Sequence, residues 1–154
     1  MGLFNFLTKK KEFFSAKEKE KIVAAIHAME QETSGEIRVY IEHKNPLVDP
    51  IERAKEIFLK LNMHETRHRN AVLLYIAIKH RELALYGDEG IYLATGQEYW
   101  NNAVRKIIGH FKGNNICEGI VHTIHHVGQA LKEKFPHNPA DDINELPDDI
   151  VFGE

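Results

Sequence analysis

The chain has 154 residues and a formal net charge of −3, which favours a single domain and argues against general affinity for nucleic acid. Hydrophobic residues make up 43% of the chain and charged residues 28%, as in ordinary globular proteins. No apolar run approaches the roughly 18–20 residues that span a membrane, so the sequence predicts no membrane span. Cys117 is the only cysteine, which excludes an internal disulfide and suits a reducing compartment.

Residues 1–14 form an N-terminal tail. Its apolar stretch is too short, and lacks the preceding positive charge, for a signal peptide. We expect a tail that docks weakly or is disordered. The alternative is weak association with a membrane surface, in which Leu3, Phe4, Phe6 and Leu7 insert beside three lysines.

The first helix and strand are signalled by their ends. Ser15 followed by Glu18 is a capping-box pattern, which predicts a helix from about Ala16. Gly35 is expected in the left-handed position after that helix. Apolar and polar residues then alternate from Ile37, which predicts a strand.

The remaining pattern predicts one helix, a β-hairpin and two more helices. Asp49-Pro50 is typical of a helix start, and the apolar run 71–78 is typical of a strand covered on both faces. A polar break precedes a third strand at 82–86, and glycines mark a loop at 87–90. Helices are predicted at about 97–111 and 116–135, before an acidic C-terminal tail at 137–154 that we expect on the surface or partly disordered.

This order predicts an α/β fold: one domain over residues 15–136, with a small mixed sheet of three to five strands and four main helices. A β-α-β unit is normally parallel and right-handed, and the hairpin makes the third strand antiparallel. Helices on both faces give a three-layer α/β/α sandwich.

The same topology predicts that four carboxylates converge at one end of the sheet. Parallel first and second strands place Glu36 and Asn70 at the same end, and the third strand returns there at Asp88 and Glu89. Glu98 follows at the start of the next helix. Clustered carboxylates repel unless a cation is present, and hard oxygen ligands suit Ca²⁺ or Mg²⁺. The alternative is that these are solvated loop acids.

Two histidine patterns suggest transition metals. HETRH at 64–68 matches the zinc-protease motif H-E-x-x-H, but it lies at a helix end or in the loop beyond, and no third ligand follows. We therefore judge a zinc protease unlikely. His122 and His126 are one helical turn apart, a spacing that can bind a metal, although solvated histidines are the commoner case.

Three segments together resemble the TPM domain family, named after thylakoid-lumen, photosystem II repair and acetylcholine-receptor modulator proteins. They are TSGEIRV at 33–39, RNAVLLYIAIKHRELALYGDEGI at 69–91 and FKGNNICEGIVHTIHHVGQAL at 111–131. The resemblance implies an α/β/α sandwich and a cation site, most naturally for calcium, in acidic loops. It favours Asp88 and Glu98 as site residues, then Glu36. A thylakoid member is described as an acid phosphatase.

Three functional hypotheses follow. The first is a soluble, cytoplasmic TPM domain that binds Ca²⁺ or Mg²⁺ through Asp88, Glu98, Glu36 and Glu89; many members carry a signal peptide and a membrane segment, which this sequence lacks. The second is a metal-assisted phosphatase acting on phosphate monoesters, in which the cation polarises a phosphoryl oxygen. The third is a protein-interaction domain without a bound metal.

Overall fold

The computed structural model describes residues 13–47, 49–112, 116–139 and 150–153. Over these residues the chain forms five helices and four strands. They are α1 (Ala16–Glu30), β1 (Glu36–Glu42), α2 (Pro50–Lys60), β2 (Ala71–Ala77), β3 (Glu82–Gly87), α3 (Glu89–Thr95), α4 (Gln97–Lys112), α5 (Ile116–Lys134) and β4 (Ile150–Phe152).

The four strands form one mixed sheet in the order β3-β2-β1-β4. β1 is parallel to both β2 and β4, and β2 is antiparallel to β3. The predicted hairpin is therefore present, with Arg81 in the left-handed conformation (φ 53°) at its turn. In the register, Glu36 lies opposite Ala71, and Gly87 lies opposite Val72.

Helices cover both faces of the sheet, so the predicted three-layer sandwich is confirmed. One face packs against α1, α4 and α5 through alternate strand residues such as Val39, Leu74 and Leu85. The other packs against α2 through residues of the opposite parity, such as Leu73 and Tyr75. β2 is buried along its whole length because it is central and covered twice, as its unbroken apolar run indicates.

Two elements go beyond the prediction. The glycine-marked segment at 87–90 was expected to be a loop, but the short helix α3 begins there with Asp88 as its N-cap. In the acidic tail, Ile150–Phe152 is an ordered edge strand, because it pairs with β1 and supplies the fourth strand of the sheet. Ile150 is 6% exposed, so this strand adds an apolar side chain to the core.

Gly35 is required for a reason other than the predicted one. It does not have the positive φ expected after a helix; among the described glycines only Gly96 does. A Cβ at Gly35 would lie 2.7 Å from Cδ2 of Leu131 on α5. The glycine therefore lets the start of β1 approach α5.

Some expectations fall on residues that are not described. The membrane-surface hypothesis for the N-terminal tail rests on residues 1–12, and the acidic stretch 140–149 lies outside the described residues as well. Among the helices that are described, none combines the length and apolar character needed to cross a bilayer.

Candidate functional site

The candidate site is the end of the sheet where β1 and β2 begin and β3 ends, here called the acidic end and comprising Glu36, Arg69, Asn70, Asp88 and Glu89. The strand register brings these segments together, as the topology argument predicted. The backbone amides of Glu36 and Asp88 donate to the carbonyls of Asn70 (3.4 Å) and Ala71 (2.9 Å). The start of β2 therefore lies between the two carboxylate-bearing turns.

The turn into α3 is held close to the loop before β2. The amide of Gly90 donates to the carbonyl of Arg69 at 2.8 Å. A Cβ at Gly90 would lie 2.2 Å from the carbonyl oxygen of His68 and 2.6 Å from that of Arg69. Only a glycine allows this approach, so Gly90 fixes where Asp88 points.

Asp88 is buried and held by an arginine. It is 3% exposed, and its Oδ1 accepts from the amide of Glu89 at 2.8 Å. Arg69 binds both of its oxygens, with Nε 2.7 Å from Oδ2 and Nη2 2.8 Å from Oδ1. The remaining nitrogen, Nη1, lies 3.2 Å from Oε1 of Glu89. The hydrogen bond to Asp88 raises the pKa of Arg69, with the charges of Asp88 and Glu89 adding to the rise.

Arg69 itself faces water. Its side chain is 42% exposed, against 4% for Asp88, and its backbone is in the left-handed conformation (φ 52°). An exposed guanidinium is readily rehydrated, so the pair can open without leaving a buried positive charge.

Glu36 and Asn70 are buried residues of the acidic end. They are 3% and 0% exposed. Nδ2 of Asn70 donates to Oγ of Ser34 at 3.3 Å, but Oδ1 of Asn70 has no hydrogen-bond partner among the described residues. A buried acceptor without a partner costs about 1–3 kcal/mol, so this oxygen is where a ligand or water would be most favourable.

Glu98, unlike Glu36 and Asp88, is not buried. It is exposed in the first turn of α4, and α3 separates it from Asp88 along the chain. Within the part of the chain that is described, no group of three or more His, Cys, Asp or Glu could hold a metal ion. The four predicted acids therefore do not form a single all-carboxylate cluster.

Arg69 is a site residue that the sequence did not predict. Arg69 precedes β2 by two positions, so its place at this end of the sheet follows from the topology that placed Asn70. Its pairing with Asp88 does not, because that depends on a left-handed backbone and on the approach of α3. The position of Arg69, two residues before β2, was the only sequence signal for its part in the site.

The H-E-x-x-H match has no helical context. Residues 61–70 form turns after α2, so His64 and His68 are not on one helical face. The ring of His68 lies 6.3 Å from that of Phe135. The prediction that this match lies outside a metalloprotease helix is confirmed.

The opposite end of the sheet also carries a buried carboxylate. Glu42, at the end of β1, accepts from Nε and Nη2 of Arg53, both at 2.8 Å, and from the hydroxyl of Tyr75 at 2.5 Å. Burial, followed by the bond to Glu42, raises the pKa of Tyr75. The hydrogen bond to Glu42 raises the pKa of Arg53. Both oxygens of Glu42 are occupied, so this end is closed.

Known proteins agree with the fold. Residues 7–144 match the family model of the TPM domain. The NMR structure of the BA42 protein from the psychrophilic bacterium Bizionia argentinensis is similar with a TM-score of 0.85 and 39% identity, over 92% of this chain and 97% of that one. A search among curated proteins gave no match.

Two more distant structures share the fold alone. The N-terminal domain of a P. gingivalis protein has a TM-score of 0.70 at 15% identity, over 82% of this chain and 83% of that one. The N-terminal domain of a Corynebacterium glutamicum protein has a TM-score of 0.62 at 14% identity, over 77% and 74%. Because the family model spans most of the sequence and a solved structure matches it at 39% identity, this chain belongs to the TPM domain family.

Proposed function

We propose that this TPM domain binds a divalent cation, Ca²⁺ or Mg²⁺, at the acidic end of the sheet. Asp88 and Asn70 are the ligands with the strongest support, and Glu36 is the next. Carboxylate, amide and carbonyl oxygens are the donors that these hard cations prefer. Glu89 contacts the same arginine as Asp88 and lies at the exposed rim, where it can join the site.

The observation that carries this proposal is the buried, unpartnered Oδ1 of Asn70. The backbone of Asn70 and Ala71 lies between two segments that each bear a buried carboxylate, Glu36 and Asp88. A cation, or a water molecule bound to one, would satisfy this oxygen and the nearby negative charge together. At the closed end, by contrast, both carboxylate oxygens of Glu42 have donors.

Arg69 makes cation binding a competition. Its guanidinium occupies both oxygens of Asp88, so an ion that binds Asp88 must displace it. Few charged ligands and an internal competitor favour a weak site, and we expect a Kd of about 10⁻⁴–10⁻³ M for Ca²⁺. Release of Arg69 would move its exposed side chain and change the surface next to Glu89.

Calcium titration followed by heteronuclear NMR tests the proposal. We expect saturable shifts at residues 34–37, 69–71 and 88–90, and their loss in Asp88→Asn. Asp49→Asn is the matched control. Asp49 caps α2 as Asp88 caps α3, but it follows the far end of β1 and so lies away from the acidic end. Asn70→Ala should weaken binding, whereas Asn102→Ala, at an exposed position of α4, should not.

Three results would decide against this function. Absence of localised shifts at about 10 mM Ca²⁺ and Mg²⁺, tenfold above the weak limit, would leave a protein-interaction domain without metal. Equal binding by Asp88→Asn and the wild type would move the site elsewhere. Loss of binding in Glu98→Gln with retention in Asp88→Asn would place the ion at the start of α4.

A metal-assisted phosphatase is the second candidate, and one observation favours it. The guanidinium of Arg69 lies beside the acids on a half-exposed side chain. A guanidinium can bind a phosphate through two parallel hydrogen bonds. In this hypothesis the cation polarises the phosphoryl oxygen and a carboxylate acts as nucleophile or general base. Hydrolysis of p-nitrophenyl phosphate that requires Ca²⁺ or Mg²⁺ and disappears in both Asp88→Asn and Arg69→Gln would support it. No turnover by the cation-loaded wild type would exclude it for this ester.

A further inference from the structure

A second group of potential ligands lies between the last two helices, away from the acidic end. α4 and α5 are joined by residues 113–115 and lie side by side. His110 is near the end of α4, and His122 and His126 are one turn apart on α5. His122 is exposed and the other two are half-buried. Solvent can therefore reach the rings from one side.

The rings of His110 and His122 face each other across the helix pair. Their centres are 4.7 Å apart and their planes are inclined by 42°, so they are not stacked. Two imidazoles on one ion, with metal–nitrogen bonds of about 2.0–2.1 Å and ligand angles of about 90–109°, have ring centres roughly 4.5–5.2 Å apart. The observed separation falls within that range without movement of either helix.

We propose that His110 and His122 form a two-imidazole site for a late first-row divalent metal such as Zn²⁺, Ni²⁺ or Cu²⁺. Water completes the coordination, since no group of three or more His, Cys, Asp or Glu in the described part of the chain could hold a metal. Imidazole nitrogen suits these ions and not Ca²⁺ or Mg²⁺, so the site is chemically distinct from the acidic end.

His126 lies one helical turn beyond His122 and contacts α4. His126 is stacked on Tyr99, with ring centres 5.4 Å apart, and the Tyr99 hydroxyl donates to its backbone carbonyl at 3.2 Å. Burial, then the charges of Lys106 and His122, lower the pKa of His126. Burial raises the pKa of Tyr99 to about 12, with Glu133 adding to the rise. Near neutral pH, His126 and Tyr99 therefore add no charge to this face.

A metal at this position would link the two helices. Because His110 is on α4 and His122 is on α5, an ion bound to both rings joins one helix to the other. An ion that binds the native state and not the unfolded chain raises the thermal midpoint as its concentration rises. The expected signature is a Zn²⁺-dependent rise in Tm that Ca²⁺ does not produce.

Calorimetric titration of the untagged full chain with Zn²⁺ and Ni²⁺ tests this proposal. We expect each ion to bind, and His110→Ala and His122→Ala each to weaken the affinity by at least about tenfold. His125→Ala is the matched control, because His125 is an exposed neighbour on the same helix and should leave binding unchanged. Binding should disappear at about pH 5, where imidazole is protonated and cannot ligate.

Further variants keep the test decisive. Metal-free melting curves establish that each alanine variant folds, and His110→Gln and His122→Gln replace any variant that does not. Asp88→Asn should retain full Zn²⁺ affinity, so failure of the calcium proposal would not affect this one. Unchanged affinity in both folded histidine variants, or absence of Zn²⁺ and Ni²⁺ binding to the wild type, would overturn the assignment.

Discussion

The two ends of the sheet hold the same motif in different surroundings. At each end a buried carboxylate is bound through both oxygens by an arginine: Glu42 by Arg53, and Asp88 by Arg69. At the closed end the Arg53 side chain is 13% exposed, and the buried hydroxyl of Tyr75 is a third donor. At the acidic end the Arg69 side chain is 42% exposed.

The difference determines whether the pair can open. Separating Glu42 from Arg53 would leave charges in a poorly hydrated place, which is unfavourable by several kcal/mol. Separating Asp88 from Arg69 returns the guanidinium to water and leaves a carboxylate at the same end of the sheet as the unpartnered side-chain oxygen of Asn70. The same type of carboxylate–arginine pair therefore stabilises the fold at one end. At the other end, the arginine can be exchanged for a cation.

The strongest test removes the carboxylate charge at each end in turn. Glu42→Gln should lower the free energy of unfolding by about 3 kcal/mol, near the lower limit for a broken buried pair, because Arg53 keeps its contact with Glu56. Asp88→Asn should lower it by about 1 kcal/mol, since asparagine is also a good N-cap and Arg69 is rehydrated. Urea unfolding at neutral pH measures both.

Equal losses in the two variants would break the comparison. Such a result would mean that the Arg69 pair is as structural as the Arg53 pair, and it would weaken the case for cation exchange at Asp88. Circular dichroism of both variants before unfolding shows whether each begins from the native fold.

A second test concerns the backbone approach that positions Asp88. Gly90→Ala places a methyl group against the carbonyls of His68 and Arg69, which cannot move as a side chain can. We expect a loss of about 2 kcal/mol from forced backbone shifts, together with weaker Ca²⁺ binding. Gly109→Ala is the control, because a Cβ there meets nothing within 4 Å and should favour the helix. A Gly90→Ala variant with wild-type stability would show that this approach can relax without loss.

The parts of this picture that sequence could predict are those that follow from chain topology. The apolar run of β2 and the hairpin after it placed Glu36 and Asp88 at one end of the sheet, because strand direction follows from connection rules. The four helices long enough to show a 3.6-residue period were predicted with useful bounds.

The rest depends on tertiary structure or on very short elements. α3 has seven residues and β4 has three, too few for a periodic pattern, so both were assigned to loop or tail. The choice of Arg69 as the partner of Asp88, 19 residues away in sequence, depends on a left-handed backbone and on the close contact of Gly90 with the loop before β2. The exposure of each arginine, which separates the two ends, is a property of packing and has no local sequence signal.

A third test removes the competitor at the acidic end. Arg69→Gln should bind Ca²⁺ a few-fold more tightly than the wild type, because Asp88 no longer has an internal cation and one nearby positive charge is lost. Arg105→Gln is the control: it removes the same charge from an exposed position on α4. NMR titration gives both affinities. Weaker binding in Arg69→Gln than in Arg105→Gln would mean that the arginine supports the ion site instead of competing for it.

The smallest expected effect is a difference in salt dependence between the two ends. Salt screens charges that water can reach, with a Debye length of about 10 Å at 0.1 M and 3 Å at 1 M, and screens buried pairs much less. The stability lost in Asp88→Asn should therefore shrink between 0.1 and about 1 M NaCl, while the loss in Glu42→Gln stays nearly constant. Parallel urea titrations at the two salt concentrations measure this, and the double variant shows whether the two ends act independently. Equal salt dependence would mean that water reaches both arginines alike, and exposure would then no longer explain why one carboxylate is available to a cation.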